Sequence, residues 1–162
     1  MSDYLETPIN LNQINENISK LVLIMEQLRN KEGGCDWDLQ QTYETIAPYT
    51  IEEAYEVVEA IYDSDMDKLC DELGDLLLQV IFHSQIARER GDFQFQDVIS
   101  AVCDKMIRRH PHIFGEIENK NVLEIRRTWE DIKQLEREQI PKYKKSISLM
   151  EGISSTLPAL TR

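Results

Sequence analysis

Four carboxylates stand in two pairs at helical spacing, Glu53 with Glu56 and Glu72 with Asp75. Residues three apart share one face of a helix, so each pair projects together. Between the pairs lies the turn-forming run Asp63-Ser64-Asp65, and two helices folded back across so short a turn can bring all four acids together. An acidic pair on one helix is ordinarily a solvated face, because water screens the repulsion at little cost. The helix carrying Glu72 reads differently: Leu69, Cys70, Leu73, Leu76, Leu77, Leu78, Val80, Ile81 and Phe82 cover most of its circumference, the pattern of a buried element. Glu72, Asp75, Gln79 and His83 form one narrow polar stripe on it. Charges on a buried helix are costly unless paired or bound to metal, and clustered hard oxygens suit Mg²⁺ or Mn²⁺ rather than zinc. Bundles that hold two irons use Glu-x-x-His. That spacing occurs nowhere in the chain, which argues against redox iron.

The elements that must position these acids are helical. Leu11, Ile14, Ile18, Leu21, Met25 and Leu28 recur at three- and four-residue intervals and predict a first helix that stops before Gly33-Gly34. Cys35-Asp36-Trp37-Asp38 reads as a short polar loop. A second helix is expected from about Pro48, a residue suited to a first turn, through Tyr62. The third runs from about Met66, capped by Asp65, to Arg90, closed by Gly91. The fourth spans about Phe95–Arg109 and the fifth about Val122–Gln139. With no long period-two segment, the expected fold is all-α, a bundle of about five helices. The domain boundary is placed at 145, with 146–162 (Gly152, Ser154, Ser155, Thr156, Pro158) reading as a linker or tail.

The bulk numbers narrow the function. A chain of 162 residues, 41% hydrophobic, fits one compact domain with a real core. Its net charge of -12 excludes a duplex-coating nucleic-acid binder, which must neutralise phosphates. Free nucleotides remain open, because a bound divalent cation reverses the local field. Cys35, Cys70 and Cys103 form neither a disulfide framework nor a zinc pair and read as reduced thiols. No basic start precedes an apolar leader, and no apolar run reaches membrane-spanning length. The expected address is cytoplasmic, away from any membrane.

The order Glu53, Glu56, Glu72, Asp75 resembles the ExxE…ExxD signature of the all-α NTP pyrophosphohydrolase superfamily, and the surrounding text resembles its MazG family. Cys35-Asp36-Trp37-Asp38 with Gln41-Thr42 looks like that family's CPWDxxQTH segment, with Asp36 and Tyr43 in place of the usual proline and histidine. IEEAYEVVEA (51–60), ELGDLLLQV (72–80) and RRHPHIF (108–114) are also similar to family sequence, and LMEGISSTLPAL (149–160) resembles the connector to a second domain in longer relatives.

The resemblance implies a dimerising helical core, Mg²⁺ on Glu53, Glu56, Glu72 and Asp75, with Mn²⁺ as a substitute, and hydrolysis of nucleoside triphosphates to monophosphate and pyrophosphate. It also implies that Lys68, Lys105 and Arg109 neutralise the phosphates and that Lys133 and Trp129 help to hold the nucleotide, the Trp129 ring able to stack on a base or to pack in the core. Two residues keep two readings each. Glu52 acts as a base beside the cluster or is simply solvated; Trp37 shapes a base pocket or plugs the end of the bundle. His83 reads as a satisfied core histidine, and His110 and His112 as parts of a turn around Pro111. The apolar side of Val57 and Ala60 is expected to lie uncovered in one chain and to be buried in a homodimer. Rival readings are a narrower nucleotide specificity, a metal-binding bundle without a nucleotide role, and a non-catalytic sensing or interaction half of a two-domain protein.

Overall fold

The computed structural model describes residues 8–115 and 121–139, which form seven helices and no strand. In chain order these are α1 (Leu11–Leu28), α2 (Asp36–Gln40), α3 (Tyr43–Asp63), α4 (Met66–Arg90), α5 (Phe95–Arg109), α6 (Pro111–Phe114) and α7 (Val122–Gln139). The all-α class is as expected. Two short helices, α2 and α6, occupy places read as loop and turn. The tail at 146–162 and its boundary lie outside the described residues. The chain divides into two compact units, Met1–Ser100 and Ala101–Arg162, with the division inside α5.

Local chemistry sets the helix ends. The Asn10 side chain caps α1 by accepting from the Gln13 N–H at 3.1 Å. Helix α3 begins five residues before Pro48, which corrects the expected start. Thr42 and Thr45 form a reciprocal capping box, each side chain accepting from the other's backbone N–H. Pro48 lies inside the helix and removes one backbone donor there. Between α3 and α4, Ser64 takes the left-handed conformation at φ 57°, and the Asp65 N–H reaches back to the Ala60 carbonyl at 3.1 Å. The Asp65 carboxylate then caps α4 through the Lys68 N–H at 2.9 Å. Gly91, at φ 77°, closes α4 where a side chain would be strained.

In the first unit α3 packs along α4, and α1 packs on α4. The core joins Met25 of α1, Ile46 of α3, and Ile81, Phe82 and Ile86 of α4. All three α4 members lie in its second half. The first half is more open than its apolar sequence suggests: Cys70 and Leu73 are exposed. The physical reason is coverage, since the core around α1 meets α4 only from Leu77 onward. A second correction concerns α3. Ala60 is 0% exposed and Val57 half-buried, so that side is already covered within one chain. The uncovered apolar stripe is instead Ile51, Tyr55, Val58 and Tyr62, spaced by four, three and four residues as one helix face requires.

Arg29, at the end of α1, ties three segments together. Its Nε and Nη2 donate to the two carboxylate oxygens of Glu89 on α4, at 2.9 and 2.7 Å. Its Nη1 donates to the backbone carbonyls of Asp38, in the middle of α2, and Gln41, just past its end, and the guanidinium lies 5.4 Å from the Phe82 ring centroid. This bidentate pair, with its guanidinium buried and its carboxylate partly exposed, is of the strong kind. The chain between α1 and α2 turns tightly enough that a Cβ on Gly34 would overlap the carbonyl oxygens of Leu28 and Asn30.

Replacing Arg29 with Met is expected to lower unfolding free energy by about 2–3 kcal/mol, because two carbonyls and a carboxylate lose their donor; urea denaturation measures this. Hydrogen bonding from Arg29 holds the Glu89 carboxyl below its ordinary 4.5. Its stabilisation is therefore complete above that value and is lost as pH falls through the lower, folded-state value. Glu89→Gln should flatten this acid-side slope in melts run across pH.

A carboxylate cluster as candidate active site

The helix hairpin brings Glu53 and Glu56 of α3 beside Glu72 of α4, with one carboxylate oxygen from each lying within 4.8 Å of the others. All three are half-buried. Asp75 is exposed and falls outside that close trio, yet it remains near enough to act on Glu53. Burial first, and then the charges of Asp75, Glu56, Glu72 and Glu52, push the Glu53 carboxyl above its ordinary value. Burial and the Glu56 charge likewise raise Glu72, partly offset by Lys68. Glu52 is exposed and gives the smallest of these effects on Glu53. Among the described residues, no lysine or arginine forms an ion pair with any of the four acids. Three convergent hard oxygens without a counter-cation fit a divalent ion.

Lys68 stands one turn before Glu72 but reaches across to α3, where its Nζ meets Glu59 at 2.6 Å. Trp37, on α2 and 52% exposed, sets its ring edge-on to Tyr49 with centroids 6.2 Å apart. His83 is satisfied locally: its Nε2 lies 3.0 Å from the Thr50 hydroxyl, its ring stacks on Tyr43, and burial lowers its proton affinity.

The remaining sequence candidates belong to the second unit. Arg109 pairs with Glu136 at 2.6 Å and lies 5.4 Å from the Trp129 ring centroid, and Arg108 meets the other Glu136 oxygen at 2.6 Å. His110 packs edge-on against Trp129 at 4.8 Å, so Trp129 is a half-buried packing residue with one face beside a cation. Lys133 pairs with Glu130 at 3.2 Å. Lys105 is exposed and makes no ion pair with a described residue. Sequence reasoning passed over the three acids that hold these cations, Glu59, Glu130 and Glu136. Glu130 had a local signal, standing three residues before Lys133 on α7, whereas Glu59 and Glu136 pair with residues of another helix.

An all-helical domain with a cluster of metal-competent carboxylates across one helix hairpin is the class defined by these features. Residues 41–114 match the MazG nucleotide pyrophosphohydrolase domain. It is 49% identical over 145 residues to the nucleoside triphosphate pyrophosphohydrolase of Escherichia coli (strain K12), covering 90% of this chain and 54% of that protein. It is also 49% identical over 142 residues to the nucleoside triphosphate pyrophosphohydrolase/pyrophosphatase MazG of Thermotoga maritima, covering 88% of this chain and 52% of that one. The chain thus spans about half the length of these curated relatives. The crystal structure of a mazG-related protein from Thermotoga maritima superposes with a TM-score of 0.59 at 27% identity, over 72% of this chain and 98% of that chain.

The raised carboxyls have a thermodynamic consequence. For Glu53 and Glu72, stability present below the ordinary value of 4.5 is lost as pH rises through their higher folded-state values. At neutral pH the cluster is therefore under repulsive strain. Glu53→Gln should melt higher than the metal-free wild type in scanning calorimetry. Mg²⁺ should raise the melting temperature of the wild type and leave that variant nearly unmoved.

Proposed function

We propose that this chain hydrolyses nucleoside triphosphates, ribo- or deoxyribo-, to monophosphate and pyrophosphate in a Mg²⁺-dependent reaction, and that it serves to clear unwanted nucleotides from the cytoplasmic pool. The observation that carries this reading is the convergence of Glu53, Glu56 and Glu72 within 4.8 Å across the α3–α4 hairpin. The names of the relatives support the same chemistry.

In this reading Glu53, Glu56 and Glu72 hold the metal, and Asp75 adds charge from the open side. A divalent cation there neutralises phosphate charge and makes water a better nucleophile, with Mn²⁺ able to replace Mg²⁺. One water is consumed; its oxygen joins a phosphorus of the α–β bridge as the bridging bond breaks. Exposed Glu52, beside the cluster and outside its three convergent oxygens, is the carboxylate proposed to take that water's proton. Lys68, Lys105, Arg109 and Lys133 are proposed to neutralise the triphosphate, and Trp129 to contact the nucleotide. Lys68, Arg109 and Lys133 must first exchange their carboxylate partners.

The chain is also proposed to pair with a second copy through Ile51, Tyr55, Val58 and Tyr62 on α3, a contiguous apolar stripe that one chain leaves uncovered. Among the described residues, no helix is long and apolar enough to cross a membrane. The net charge of -12 disfavours a nucleic-acid partner.

The test incubates the purified chain with the common NTPs and dNTPs, with Mg²⁺ or EDTA, and measures pyrophosphate and monophosphate together. Equimolar products that require Mg²⁺ are expected. Glu56→Gln should lower kcat by about 100-fold or more, since metal clamping contributes several kcal/mol. Lys105→Ala and Arg109→Ala should raise KM without preventing metal binding. A folded chain that is silent with every nucleotide overturns the catalytic reading in favour of a sensing or interaction module. For assembly, sedimentation at micromolar concentration should show a dimer that Tyr55→Glu shifts to monomer.

A further inference from the structure

A second feature of the hairpin lies outside the carboxylate cluster. Gln79, on α4, is only 8% exposed, and its Oε1 accepts no hydrogen bond from any described residue. A buried amide oxygen left without a donor costs free energy in the folded state. The same residue lines a half-open cavity of about 170 Å³, whose other walls are apolar or aromatic, Trp37, Ile46, Tyr49 and Phe82 among them, apart from the buried Asp38. Cavities of about 150 Å³ take up one benzene ring. The space therefore suits a single six-membered ring, and beside Asp38 it offers that ring the amide of Gln79.

The position of this cavity on the helices is equally specific. Gln79 follows Asp75 by four residues and Glu72 by seven, which is about 6 and 10 Å along α4 on one face. Tyr49 precedes Glu53 by four and Glu56 by seven, giving the same offsets along α3. Both walls of the pocket thus stand one to two turns from the carboxylates. A ribose puts a similar separation between the α-phosphorus of a nucleotide and the far edge of its base.

Resting on the hydrolase reading above, the geometry points to this cavity as the seat of the substrate's nucleobase, with the Gln79 amide as the group that meets the hydrogen-bonding edge of the base. Trp37 and Tyr49 supply aromatic surface for a planar ring, and stacking of that kind tolerates every base. The amide is similarly permissive. Oε1 accepts from an amino group or ring N–H; turned end for end, the side chain presents the Nε2 donors to a carbonyl or ring nitrogen. The pocket consequently senses that a base is present more strongly than it distinguishes one base from another. Trp37 acquires a role here as a wall of the pocket, and Gln79 becomes a binding residue on the same polar stripe as Glu72 and Asp75.

Gln79→Leu tests this, because it keeps the shape of the side chain and removes its polarity. Stability should hold or rise, since an unpartnered buried amide is replaced by an apolar group. KM for each NTP should rise about tenfold, the worth of one hydrogen bond, with kcat changed by less than about twofold. Inorganic tripolyphosphate, which has the phosphates but no base, should inhibit wild type and variant with equal Ki. An unchanged KM, or a tripolyphosphate Ki that rises in step with KM, overturns the assignment. Should the wild type hydrolyse nothing, the hydrolase reading fails separately, and nucleoside monophosphates titrated against Trp37 fluorescence in a Trp129→Phe background then decide. Quenching that weakens about tenfold on Gln79→Leu keeps the base pocket; equal or absent quenching overturns it.

Discussion

The left-handed turn at Ser64 followed by the cap at Asp65 makes α3 and α4 double back, and packing of these two helices along their length holds like charges closer than they would choose. Glu53, Glu56 and Glu72 lie on the inner edge of that hairpin, and the cost of gathering them shows in the raised proton affinity of Glu53 and Glu72. Apolar burial supplies the opposing force, through Ile46 on one helix and Ile81, Phe82 and Ile86 on the other. The charged end of the hairpin is thus held in place by its greasy end. The cavity at Gln79 lies where the two regimes meet.

Arg29 plays a complementary part at the greasy end. It reaches from the close of α1 to carbonyls in the middle and just past the end of α2 and to Glu89 far along α4. The short helix carrying Trp37 is otherwise attached by its flanking loops and by the contact of Trp37 with Tyr49. A nearly buried guanidinium with every strong contact made to a neighbouring segment acts as a fixed joint, and the ring of Trp37 inherits its position from that joint and from Tyr49.

Much of this was legible in the sequence where the signal is local. Asp65 as a cap and Gly91 as a stop each depend on a few neighbouring residues and stand in the structure as read, while the three-residue spacing of the acids brings Glu53, Glu56 and Glu72 together and leaves Asp75 outside the trio. The start of α3 was misread although its signal was equally local, because Pro48 drew attention from the Thr42–Thr45 box. Other features were illegible for a physical reason. The exposure of Leu73 depends on how far α1 extends over α4, and the pairing of Arg29 with Glu89 joins residues sixty positions apart. Covering of Ala60 depends on the geometry of the turn that follows it. Candidate site residues were found by type and spacing; the acids that hold basic ones from another helix, Glu59 and Glu136, were not, because each is one of many glutamates until the helices are packed.

Those two glutamates alter how the cations behave. Lys68 and Arg109 are not bare charges waiting in solvent, since each already rests on a carboxylate at 2.6 Å. An arriving anion therefore engages them by displacement, as on an ion-exchange resin: one oxygen leaves the cation as another takes its place. The net gain is the difference between two similar contacts, so such positions discriminate by geometry more than by strength. A departing anion is replaced by the resident carboxylate without stranding a desolvated charge, and exchange in both directions can be fast.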